Sequence, residues 1–115
     1  MTTRVTYSKL FNPQLLGTAA QLIYQLAAQP ASLELRGARI RFVNISGSSV
    51  TFNAYAVPNG NSVAAVNAFA LNISVPAGTF YDIDIPTLSI GDAIWASCSV
   101  ASAMNVQMLN GVLIQ

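Results

Sequence analysis

Asp82 and Asp84 are the residues of this chain best placed to do chemistry. They stand two apart in "FYDIDI". On an extended strand that spacing puts both carboxylates on one face, roughly 7 Å apart at the backbone. Such a pair can act as acid and base in glycoside hydrolysis or supply oxygen ligands to calcium. Calcium takes about six to eight oxygens, and Glu34 and Asp92 are the only other carboxylates in the chain. The expectation is therefore an unmetallated outer strand face, whose charges keep an edge strand from pairing wrongly. Cys98, the single cysteine, lies in "AIWASCSV" among Ile94, Ala96 and Val100. The chain has no histidine, which removes the commonest general base and the commonest metal ligand together. Cys98 then reads as a buried, inert thiol. No phosphate-binding glycine loop, dinucleotide fingerprint, paired-cysteine motif or nucleophile elbow is present. These observations exclude the usual enzyme classes and imply no cofactor.

Two further groups could bind rather than react. Arg39 and Arg41 share a strand face, with Arg36 just before them. A basic stripe near aromatics can hold single-stranded nucleic acid. Three arginines in a chain of net charge +1 supply little phosphate neutralisation, so a solvated face or ion pairs to a neighbouring subunit is expected instead. Trp95 points away from the apolar side of its strand, as a sugar-stacking platform or a subunit contact would.

The elements that must position these groups are strands. "LELRGARIRFVNI" alternates cleanly, with Gly37 marking a bulge or bend. Ser46-Gly47-Ser48-Ser49 turns the chain, and "VTFNAYAV" sets Val50, Phe52, Ala54 and Ala56 on one face, so that residues 41–57 read as a β-hairpin. Phe69, Leu71, Ile73 and Val75 recur at period two. Tyr81, Ile83 and Ile85 oppose Phe80, Asp82 and Asp84. Ile94, Ala96, Cys98 and Val100 oppose Trp95, and "VQMLNGVLI" follows, with a possible bulge at Gly111. In "QLIYQLA", Leu22, Tyr24 and Leu26 alternate with Gln21, Ile23 and Gln25. Helix competes there, because Leu16, Ala20, Ile23 and Ala27 have helical spacing, but Gly17 and the Ile23-Tyr24 pair favour a strand. Turns are expected at 29–32, 58–62, 76–78 and 90–92. The sum is an all-β domain: an antiparallel, jelly-roll-like β-sandwich of seven to eight strands.

Residues 18–115 form that sandwich, and residues 1–17 form an N-terminal docking arm. The arm carries Val5, Tyr7, Leu10, Phe11, Leu15 and Leu16, too many large apolar groups for a solvated tail. They are expected to be satisfied by a second chain. Over the whole chain, 53% of residues are hydrophobic and 8% charged, against about 25% charged in an ordinary soluble domain. Such a surface suits an oligomer or a part of an assembly. Arg4, Lys9, Arg36, Arg39 and Arg41 precede Asp82, Asp84 and Asp92, which would allow head-to-tail charge matching between copies. No apolar run is long enough to cross a membrane, and no signal peptide is visible. Asn44-Ile45-Ser46 and Asn72-Ile73-Ser74 match the glycosylation sequon on strands, as chance matches. The expected interface comprises Tyr7, Leu10, Phe11, Leu15, Leu16, Arg39, Arg41 and Trp95.

"LGTAAQLIYQ", "RFVNISGSSVTFNAYAVPNG", "VPAGTFYDI" and "LSIGDAIWASCSVASAMNVQMLNGVLI", in that order, resemble small virion proteins of tailed bacteriophages. The likeness spans about residues 16–114. It departs at "QLAAQPASLELRGARI", where such proteins commonly carry a "Y-x-x-P-x-G" turn. The resemblance implies a non-enzymatic structural component of a virion, present in many copies, such as a capsid decoration or a tail or collar accessory. Its partners would be its own copies and other virion proteins, with no nucleic acid and no membrane, and its location the particle assembled in the bacterial cytoplasm. It carries no catalytic residues to transfer. The rival readings are a carbohydrate-binding module with Trp95 or an exposed tyrosine as platform and, more remotely, a hydrolase using Asp82 and Asp84.

Overall fold

Alternation at period two is what the backbone realises. The computed structural model describes residues 5–7, 11–26 and 34–114. In chain order the strands are β1 (Val5–Tyr7), β2 (Gln14–Leu15), β3 (Gln21–Gln25), β4 (Glu34–Asn44), β5 (Val50–Val57), β6 (Ala68–Val75), β7 (Phe80–Asp84), β8 (Leu88–Ser89), β9 (Ala93–Cys98) and β10 (Met104–Ile114). Among the described residues there is no α-helix, and a single 3-10 turn covers Ala65–Asn67. The helical spacing that begins at Leu16 therefore yields to strand over Gln21–Gln25. The turn expected at 29–32, together with Arg4, Lys9 and Leu10, lies outside the described residues, as does the side chain of Tyr7.

Two antiparallel sheets form. In the first, β10 and β4 are central; β1 and β2 run along the free side of β10, and β7 and β8 along the free side of β4. The second has the order β3-β9-β5-β6. Each sheet thus has four positions. The chain crosses between sheets at every connection except β5 to β6 and the in-line breaks of the first sheet's two edges. This is the double Greek key of a jelly roll. The residues 41–57 expected to form a hairpin therefore turn a corner instead, since β4 and β5 lie in different sheets. Phe42 and Phe52 face each other across the core, ring centroids 3.9 Å apart and 11° from parallel. Strand–turn–strand alternation looks the same in a hairpin and in a sandwich corner.

Asn44 fixes that corner. It is fully buried, and its Nδ2 donates to the carbonyls of Ser48 and Val75 at 2.8 and 2.9 Å. Its Oδ1 accepts from the Ser46 backbone N–H and hydroxyl at 2.9 and 2.7 Å. Every polar atom of the amide is satisfied, as burial demands. The Asn-Ile-Ser sequence is thus an internal corner brace, and its amide is inaccessible to a glycan. Asn72, in the second such sequence, adopts φ +53°, where β6 is irregular against β5. That bulge changes the phase of β6: Ala70 is buried while Leu71 is exposed, against the expected Phe69-Leu71-Ile73-Val75 face.

Similar phase changes occur elsewhere. A bulge opposite β9 falls between Leu22 and Tyr24, so Ile23 and Leu26 enter the core and Leu22 stays outside. Gly37, at φ +59°, is the extra residue where β4 shifts against β10, as expected. Gly111, its neighbour across that shift, lies against the flexible end of Met108, whose Cε would stand 2.6 Å from a Cβ there. Val100 falls beyond the end of β9 and is exposed.

Candidate functional site

The jelly roll presents two outer faces. That of the first sheet is built in rows by strand register. Arg41 lies between Gln107 and Asp82, and Arg39 between Asn110 and Asp84. Arg41 makes a two-pronged contact with Asp82, Nε to Oδ1 at 2.7 Å and Nη2 to Oδ2 at 3.0 Å. Arg39 Nε donates to Asp84 Oδ1 at 2.9 Å, and Arg36 pairs with Glu34. The Arg41 guanidinium also lies 4.0 Å from the centre of the Phe80 ring, a cation–π arrangement. The hydrogen bonds from Arg41 hold the Asp82 carboxyl below its ordinary range and raise the guanidinium's own pKa. Hydrogen bonding by Asp84 likewise raises that of Arg39.

These contacts revise two expectations. The basic stripe and the acidic pair, far apart in sequence, are adjacent because β4 and β7 are neighbours. The segregation of charge therefore matches within one chain, without a second copy. Asp82 and Asp84 do share a face, but each is engaged by an arginine rather than free to hold a cation or a substrate. Among the described residues no cluster of three metal-ligating side chains exists. Cys98 is buried, and its thiol donates to the Val100 carbonyl at 3.0 Å.

The next row of that face is apolar but for Asn105. Leu15, Asn105, Val43 and Phe80 are successive cross-strand neighbours. Leu15 and Phe80 are 53% and 55% exposed, a large fraction for such side chains. Ile45, just past β4, is 55% exposed. The arm residues divide here. Leu15 belongs to this exposed row, whereas Leu16 is buried in the core of its own domain and Phe11 packs partly against that core. The described parts of residues 1–17 form an edge of the first sheet. Their apolar groups are thus not all spare: Leu16 and Phe11 are satisfied within the chain.

The second outer face carries no charge in its strand rows. Trp95 stands between Leu22 and Tyr55, and Ala93 between Gln25 and Val57. An open depression of about 100 Å³ lies beside Trp95, bounded by Leu22 and Gln25 on β3, by the turn holding Pro58, Gly60 and Asn61, and by Gly91. Its rim is locked. Asp92 accepts the Asn59 backbone N–H at 3.0 Å on Oδ1 and that of Ser89 at 2.9 Å on Oδ2. Gln25 Nε2 donates to the Gly91 carbonyl at 3.1 Å. Gly91 N–H donates to the Leu26 carbonyl, and Leu26 N–H to that of Asp92. Gly91 has φ +84° and no room for a Cβ, which would overlap the Asn59 side chain. Three segments distant in sequence thereby form one rigid rim. The sequence shows only two turns at these places; "PNGN" and "GD" carry no signal that they meet.

No protein-family model matches the chain, and no curated protein matches it. Several solved chains share its shape, among them the following two. One is a chain of Bacillus endospore appendages, which form a family of disulfide-linked pili. It aligns with a TM-score of 0.58 at 15% identity, over 99% of this chain and 89% of that one. The other comes from infectious bursal disease virus, Gx strain, with a TM-score of 0.50 at 16% identity, over 99% of this chain but 33% of the viral one. This chain therefore spans about a third of the viral protein. At these identities the likeness is one of fold, shared with a chain of a pilus and a chain of a virus structure.

Proposed function

We propose that this chain is a non-enzymatic structural subunit of a tailed-bacteriophage particle, present in many copies as a capsid decoration or a tail or collar accessory. The observation that carries the proposal is the apolar surface left over once the core is complete. Leu15, Val43 and Phe80 share one outer face, with Ile45 at the end of β4, and Val66 stands 89% exposed on the β5–β6 connection. A monomer gains nothing from leaving such groups in water, and exposed apolar groups gathered among polar residues mark a protein contact. The adjacent arginine–aspartate rows give that patch a polar rim, the usual anatomy of a subunit interface. The order of the motifs shared with phage virion proteins, and the recurrence of the fold in two multi-copy assemblies, support the same reading.

Sedimentation of the purified chain across a wide concentration range tests it, with electron microscopy of whatever forms. Self-association or incorporation into particles is expected, weakened by Phe80→Ser and Leu15→Ser together without loss of the β-sheet circular dichroism. A chain that stays monomeric throughout and is absent from intact particles would sink the proposal.

A further inference from the structure

The depression beside Trp95 is not used by the structural role above. We propose that it is a binding site for a neutral sugar residue, its apolar face on the indole and its hydroxyls on the Asn61 and Gln25 amides. Chemistry selects the ligand class. No charged side chain lines the depression. The nearest carboxylate, Asp92, has both oxygens occupied by backbone N–H groups, so nothing there recognises an ion. The lining pairs an aromatic with Leu22, Val57 and Pro58, and sets two amide side chains at its margin. Gln25 spends its Nε2 on the Gly91 carbonyl, which orients its Oε1. A flat ligand with a C–H face and hydroxyl edges satisfies both halves of that surface. Drug-sized ligands occupy pockets of about 300–1,000 Å³, so a depression of about 100 Å³ suits a single ring at the end of a glycan. The locked rim matters as much as the lining, since a site already in its bound shape loses little entropy on binding.

The chain's single tryptophan makes its fluorescence a reporter of this site alone. The full chain is titrated with glucose, galactose, N-acetylglucosamine and rhamnose, and with glucuronate and sialic acid as charged controls. Fluorescence and backbone amide shifts are followed together. At least one neutral sugar should give a saturable response in about the millimolar range, because one ring makes few contacts. The shifts should centre on Gly60, Asn61, Gly91 and Trp95. Asn61→Ala, an exposed turn substitution, should weaken that binding about tenfold, and Trp95→Leu should abolish the shifts. The proposal is overturned if no neutral sugar saturates, if Asn61→Ala leaves affinity unchanged, or if the charged sugars bind equally well. None of these results depends on whether copies assemble.

Discussion

The two outer faces solve one problem differently. On the first sheet, function-capable side chains are placed by strand register. Arg39, Arg41, Asp82 and Asp84 occupy adjacent rows because β4 and β7 pair in that register, and a slip of β7 by one residue would turn Asp82 and Asp84 into the core. On the second sheet the strands supply a plain floor of Trp95, Leu22 and Val57, while two turns, at Pro58–Asn61 and at Gly91, make the walls. The first face is flat, ionic and suited to a broad contact; the second is notched, uncharged and suited to a small one. Register gives repetition, and loop clamping gives shape.

The sharpest way to separate the two is a pair of glycine substitutions. Gly91 and Gly37 both have left-handed φ, but Gly37 has open space around it. Alanine in that conformation costs about 1–2 kcal/mol. Gly91→Ala must also displace Asn59, losing its bond to Asp92, for a total of about 3 kcal/mol. Melting curves should show Gly91→Ala falling by roughly 10 °C or more and Gly37→Ala by less than half as much. Equal losses would mean that the rim is not clamped.

The ionic face should break next. Arg41→Glu places a like charge opposite Asp82 and removes the contact with Phe80. The melting temperature should fall by a few degrees at low salt and recover partly as salt is raised, because the pair is half exposed and screened. An equivalent charge at Asn61, on the other face, should show no such salt dependence.

Acid gives a smaller effect, with a defined sign. Asp82 is held below its ordinary pKa by Arg41, so the folded state favours its ionised form. That contribution is fully present above the unfolded-state carboxylate pKa of about 3.9 and is lost as pH falls through the lower folded value. Asp82→Asn should therefore reduce stability near neutrality and flatten its loss on acidification below about pH 4. A wild type and variant with parallel pH profiles would remove Asp82 from the account. The smallest effect belongs to Asn61→Ala, which should leave melting unchanged.

Much of this was legible in the sequence, and the limits are instructive. Alternation identified β4, β5, β7, β9 and β10 and their inward faces, because each buries one side against the core. It could not show that β4 and β5 part at Asn44, since pairing partners leave no local mark. Nor could it find the bulges near Ile23 and Asn72, each of which moves one apolar residue to the other face at no cost to composition. The short motifs proved to be corner chemistry: Asn44 with Ser46, the Pro76 carbonyl accepting the Thr79 amide and hydroxyl, and Gly91 with Asp92. Asp82 and Asp84 were correctly placed together, but their partners Arg41 and Arg39 precede them by 41 and 45 positions, beyond what spacing can reveal. The same distance hid the depression, whose walls come from two turns far apart in sequence.

The position of β10 has a consequence for how the molecule is made. Residues 104–114 occupy the middle of the first sheet, between β4 on one side and β1 and β2 on the other. Neither neighbour can complete its hydrogen bonding until that segment has been synthesised and has left the ribosome. Until then β4 keeps one edge open. Non-local pairing of this kind is slow to form, and the open edge of β4 is sticky while it waits. Arg39 and Arg41 lie along that same strand. In the nascent chain, before Asp82 and Asp84 emerge to meet them, they are bare like charges that keep one unfinished copy from joining the next.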